Sequence, residues 1–315
     1  MDHCVYTDLA LEAHSFFREG RRPSLPGVEE ESRREDGCAV TRIRIVSQEA
    51  AQRLGKAQGC YVTLEAENLS QEGREGQERV SSLLARELRA LMPPPSRTAP
   101  ILVIGLGNRS ITPDALGPMT VDGVMVSRHI LSVMPEGVDA RVRSLCALAP
   151  GVLGVTGLET AEVIRGVMDR VKPACVVAVD ALASRNTHRI GNTFQLTDTG
   201  IRPGAGVGNR RMELNRKTLG APVLALGVPT VVYAMTIVRD AMLAMDRAHD
   251  APSGKSEEEM DQVVSHILPP PLNSLVVTPK DVDQMVRRAA AVLSLGINLW
   301  AHDGLSVEEI QDFMH

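Results

Sequence analysis

Residues 175–185 read CVVAVDALASR. The run Cys175–Val179 is apolar at every position and ends on an acid, Asp180. A strand with no polar alternation has no solvent face, so it fits a parallel sheet covered on both sides. Two more stretches have the same form: Ile101–Ile104, followed by Gly105, and Val223–Leu226, followed by Gly227. Helix-length apolar patterns lie between and after them, around Val121–Val133, Thr160–Val171 and Val231–Met245. Strand alternating with helix predicts an α/β fold, a mostly parallel sheet with helices on both faces.

Working outward, Thr41–Ile45 (TRIRI) alternates apolar and basic side chains as a half-solvated strand does, and a short strand follows at Tyr61–Leu64. Val80, Leu83, Leu84, Leu88 and Leu91 recur at helical spacing until Pro93, Pro94 and Pro95 stop the helix. Residues 18–37 and 249–259 are dense in charge, Gly, Pro and Ser and read as exposed loops. A last helix is expected over Pro279–Ala301, after the segment Asn273–Thr278. No shift in composition demands a second domain.

The 315 residues are 43% hydrophobic but only 3% aromatic, so Val, Leu, Ile, Ala and Met must fill a sizeable core. A formal charge of -5, from 39 acids and 34 bases, gives no broad cationic field and argues against direct nucleic-acid binding. The five cysteines, Cys4, Cys38, Cys60, Cys146 and Cys175, form no CxxC pair, which fits a reducing compartment better than a disulfide framework. The start MDHCVYTDLALEAH lacks the form of a secretory signal, and no window is apolar enough to span a bilayer. A cytoplasmic protein away from membranes is expected.

Asp180 falls at the carboxyl end of its strand, where open α/β sheets build their ligand crevices. Asp114, in IGLGNRSITPDALGP (104–118), follows another such strand after a glycine turn. Each could instead cap a helix. If both strands share one sheet, the carboxylates can meet at one edge, and two close like charges would leave one acid and one base for water activation. Gly105 and Gly107 invite a dinucleotide reading, but the third position of that fingerprint is Ser110 and Pro113 displaces the helix start. Backbone N–H groups at Gly107 and Asn108, and in GIRPGAGVGN (200–209) at Gly204 and Gly206, are candidates for holding a carbonyl oxygen or a substrate main chain, or simply form tight loops. No GxSxG, HExxH or spaced Cys–His pattern occurs, and His188 reads as a surface residue.

The blocks IGLGNRSITPDALGP, APGVLGVTGLET, VVAVDALASR, GIRPGAGVGN, LGVPTVV and LVVTPKDVD, with the amino-terminal TDLALEA, resemble in sequence and order those of the germination protease family. The resemblance covers most of the chain. It implies a single catalytic domain over 9–315 and an aspartic-type endopeptidase that begins the degradation of small acid-soluble spore proteins at germination. Asp114 and Asp180 match the family's proposed catalytic aspartates. It also implies a zymogen: the self-processing site corresponds to the Asp8–Leu9 bond, making residues 1–8 a propeptide. A homotetramer in the forespore cytoplasm is implied as well. The segment 249–259 is shorter than in the longer family members, and Tyr233 in PTVVYA stands where members usually carry Asp. If the usual Asp belongs near the site, its loss would change substrate preference or activity; the bland reading of Tyr233 is a helix surface position.

More distantly, the glycine turn and strand-end Asp are similar to the hydrogenase maturation endopeptidases, which implies a phosphorylase/hydrolase-like sheet. Those enzymes hold a metal with two carboxylates and a histidine, and the position matching that histidine is Gly204. Metal-free catalysis with no cofactor is therefore the expectation, and a metal-dependent maturation-type peptidase is the alternative.

Overall fold

A computed structural model describes residues 7–19, 25–202, 213–248, 257–267 and 275–314. The three apolar runs are strands β4 (Ile101–Gly105), β6 (Cys175–Ser184) and β8 (Val223–Tyr233). They pair in parallel in the order β8–β6–β4, and β5 (Leu145–Leu148) continues the parallel set beyond β4. Four antiparallel ladders join β1 (Val28–Glu35), β2 (Cys38–Ile45), β3 (Gly59–Glu65) and β7 (Thr193–Thr197) to β8. The two-residue strand β9 (Val276–Val277) pairs with the end of β8. The α/β class holds, with a mixed sheet whose parallel part is the half where the sequence has continuous apolar runs.

Helices cover both faces. On one, α3 (Gly73–Leu91), α4 (Leu116–Asp122) and α11 (Val282–Ala301) enclose the main core, reaching Cys175, Val177 and Val179 on β6 and the fully buried Trp300. On the other, α7 (Thr160–Val171) and α8 (Arg216–Leu219) cover Val176 and Ala178, the alternate residues of the same strand. The antiparallel wing has its own cluster, where α1 (Ala10–Glu19) and α2 (Gln48–Leu54) pack on Ile43, Ile45 and Tyr61.

Three local expectations change. The exposed loop expected over 18–37 contains the end of α1 and the whole of β1, joined to β2 by Asp36 and Gly37 with φ of 49° and 69°. An Asp-Gly pair at positive φ makes the hairpin turn whose twist suits two antiparallel strands. The helix expected over Val121–Val133 is two short helices, α4 and α5 (Arg128–Val133), separated at Gly123. The helix expected from Val231 begins only at Ala234, as α9 (Ala234–Ala248), because β8 runs on to Tyr233. The remaining helices are α6 (Leu153–Thr156), α10 (Glu257–Ile267) and α12 (Val307–Met314). Of the second expected loop, 249–259, residues 249–256 lie outside the described residues and 257–259 open α10. Among the described residues no helix is long and apolar enough to cross a membrane.

Candidate active site

β4 ends at Gly105, opposite Val179, and its last ladder bond runs from Leu106 N–H to Val179 O at 2.8 Å. Asp180 is the next residue along β6, opposite Gly227 of β8 and only 6% exposed. It therefore stands at the level where the sheet loses a strand, which is where a crevice opens. One of its oxygens, Oδ1, accepts from Ala181 N–H at 3.0 Å, so the carboxylate covers a backbone donor that β4 no longer reaches.

The chain leaving β4 folds back over the same strands. Gly107 has φ of 111°, and a Cβ there would lie 2.0 Å from the carbonyl oxygen of Asp114. Only glycine fits such a backbone approach. Asp114 ends the single 3-10 turn Thr112–Asp114, which packs against β6, β8 and α11. Its Oδ2 accepts from Asn108 N–H at 2.8 Å. The side chain of Asn108 is itself engaged, its Oδ1 accepting from Ser110 N–H at 3.0 Å. Behind the loop, α4 approaches closely because Gly105 and Gly117 face each other, a Cβ on Gly105 falling 2.1 Å from Gly117 O.

The two expected carboxylates thus share one end of one sheet, Asp180 on its strand and Asp114 on the turn above it. The N–H of Asn108, one of the expected substrate-holding groups, donates to Asp114 in this structure. Gly204 and Gly206 lie outside the described residues; the flanking Ile201 and Leu214 pair with each other across that gap. His188 is exposed on the turn Thr187–Arg189, as expected.

A second set of polar residues continues along β6, of which the sequence had singled out only Asp8, in the expected processing site. Asp8 N–H donates to Ala183 O at 3.2 Å, and Ala183 N–H donates to Asp8 Oδ2 at 2.8 Å. Glu12, 5% exposed, accepts from Ser184 Oγ and Arg185 N–H at 2.8 Å each and from Arg189 Nη1 at 3.0 Å. Lys56 and Gln195 reach the same segment. Burial lowers the pKa of Lys56, against the opposing pull of Asp8 and Glu12. Tyr233 is half-buried at the end of β8 and not on a helix surface; its phenol pKa is raised by burial first and then by the nearby Asp8 carboxylate. Chain connectivity could not reveal this set, since residues 8, 56, 183 and 195 meet only through the sheet. Among the described residues no three His, Cys, Asp or Glu side chains gather as a metal-binding group.

Comparison with known proteins gives one answer. The sequence profile of the germination protease family matches residues 7–247. The chain is 40% identical to the germination protease of Clostridium tetani, with 99% of both chains covered. It is 39% identical to that of Caldanaerobacter subterraneus and 35% to that of Bacillus mycoides, each over 99% of this chain and 98% of the relative. With the profile covering most of the chain and the relatives aligned from end to end, this protein is a peptidase belonging to the germination protease family.

Proposed function

We propose that the chain is an endopeptidase that opens the degradation of small acid-soluble spore proteins, with Asp114 and Asp180 activating the attacking water. The observation that supports this reading is that both acids belong to the crevice end of the sheet, Asp180 buried on β6 and Asp114 on a turn that packs against β6 and β8 and is pinned by Asn108 N–H. Two carboxyls in one crevice disfavour simultaneous ionisation, so one keeps its proton while the other takes one from water. The ionised group acts as general base; the protonated group polarises the peptide carbonyl and returns a proton to the leaving amine. This chemistry needs no metal.

The same reading makes the chain a zymogen that loses residues 1–8 by cutting Asp8–Leu9, works as a homotetramer and acts in the forespore cytoplasm. The docking of Asp8 on β6, the strand that carries Asp180, supports a self-processing role for that segment. To test it, purified protein and its Asp114→Asn and Asp180→Asn variants are incubated with a small acid-soluble spore protein, with and without a chelator, and fragments and N-termini are read by mass spectrometry. Cleavage by wild type alone, indifferent to the chelator and with a mature start at Leu9, is expected. Cleavage by both variants at the wild-type rate would remove the two aspartates from the mechanism, and loss on chelation would replace it with a metal-dependent one.

A further inference from the structure

Past Gly105 the edge of β6 that β4 had covered is open, and the amino-terminal segment lies on it. The segment is held mainly through its backbone. The carbonyl of Asp8 accepts from Lys56 Nζ at 2.8 Å and from Gln195 Nε2 at 3.1 Å, and the carbonyl of Thr7 accepts from the same ammonium at 3.1 Å. Gln195 Oε1 accepts in turn from Ala10 N–H at 2.6 Å, so one amide side chain holds the main chain on both sides of Leu9. Two side chains add selectivity. The acid of Asp8 meets Ala183 N–H, and Leu9 is fully buried.

Drawing an ammonium into a site that lowers its pKa is costly for stability alone. An amide and an ammonium aimed at main-chain carbonyls are what a surface needs to grip a peptide by its main chain. We propose that the edge of β6 over Ala181–Ser184, together with Lys56 and Gln195, is a peptide-binding ledge for substrate. It takes a segment that bends at an acidic residue and buries the apolar one after it, and the chain's own Thr7–Ala10, with Asp8 in a bend and Ala10 opening α1, occupies it as an internal ligand. This rests on the endopeptidase reading above. Ala183 lies three residues past Asp180, about 10 Å at the rise of a strand. The segment is therefore docked short of the two aspartates, and its own cleavage requires it to advance along the ledge. Lys56 and Gln195 are binding residues in this scheme, and the acid–base work stays with Asp114 and Asp180.

The test uses the full chain after it has processed itself and a synthetic peptide of residues 5–14, VYTDLALEAH. Steady-state cleavage is measured for wild type, Lys56→Met, Lys56→Arg and Gln195→Leu, with melting temperatures as a folding control. Losing a charge-assisted hydrogen bond should raise KM roughly 10-fold or more in Lys56→Met while kcat moves by less than about 3-fold, and Lys56→Arg should recover part of the loss. A peptide N-methylated at its Asp, which cannot donate to Ala183 O, should lose a similar factor with unaltered wild-type protein, so this arm stands even where a variant fails to fold. If wild type cleaves the peptide and KM is unchanged by Lys56→Met, Gln195→Leu and N-methylation, the ledge is wrong and the endopeptidase reading survives. If wild type cleaves neither itself nor the peptide, both fall.

Discussion

Replacing Gly107 by Ala tests how the turn carrying Asp114 is held. The new Cβ would sit 2.0 Å from Asp114 O and 3.0 Å from Asp114 Oδ1, on a residue with φ of 111°. Carbon–oxygen contacts below 3.0 Å are not tolerated, so the turn must withdraw by at least about 1 Å. Backbone strain at such a φ adds to the clash, and together they should lower stability by about 2–4 kcal/mol. A displacement of that size at a reacting group costs on the order of 100-fold in rate. Urea unfolding followed by circular dichroism reads the first effect. Cleavage of a small acid-soluble spore protein reads the second, compared at a urea concentration where both proteins remain folded. Unchanged stability would refute the close approach of Gly107 to Asp114. Lost stability with full kcat would keep the geometry and deny that the position of Asp114 matters to the chemistry.

Three other outcomes are expected. His302, fully buried with Nδ1 accepting from Arg143 N–H at 3.1 Å, has its pKa lowered by burial from 6.5 to about 4. The fold therefore favours the neutral ring, its stabilisation is complete above about pH 6.5 and is lost as pH falls towards 4, amounting to about 3 kcal/mol; an imidazole NMR titration near pH 6.5 would contradict this. Burial raises the Cys175 thiol to about 12, so iodoacetamide at pH 8 should label it only after denaturation, as read by peptide mass spectrometry. Glu87→Ala removes a 3%-exposed carboxylate that pairs with Arg33 and with Arg42 at 2.7 Å, and should lower stability by about 2 kcal/mol, less than a fully buried pair because both arginines are about a third exposed. A urea midpoint equal to wild type would show that water substitutes for Glu87.

The parallel half of the sheet was legible because burial on both faces leaves only apolar side chains, as in Ile101–Gly105 and Cys175–Val179. β1 was not, because VEEESRRE is an edge strand with charges on both faces, and only Asp36-Gly37 announced its hairpin. Tyr233 was misread because the last residues of β8 and the first turn of α9 are both apolar, and no cap marks the change. Strand-end logic pointed to Asp180, and the glycine turn after β4 to Asp114, as candidates. Lys56, Gln195 and Ala183 could not be chosen, since each is an ordinary residue until the sheet brings it to Asp8.

The main core is closed by the last long helix. α11 packs along α3 and over α4, and its buried residues run from Met285 to Ala301. A chain emerging from the ribosome can form the β1–β2 hairpin early, but the face of β4 and β6 beneath α11 stays open until residue 301 has been made. The order of synthesis thus acts as a timer: the crevice strands are made long before the helix that covers their core face, and a truncation before residue 301 leaves an unclosed apolar surface for chaperones and proteases to find.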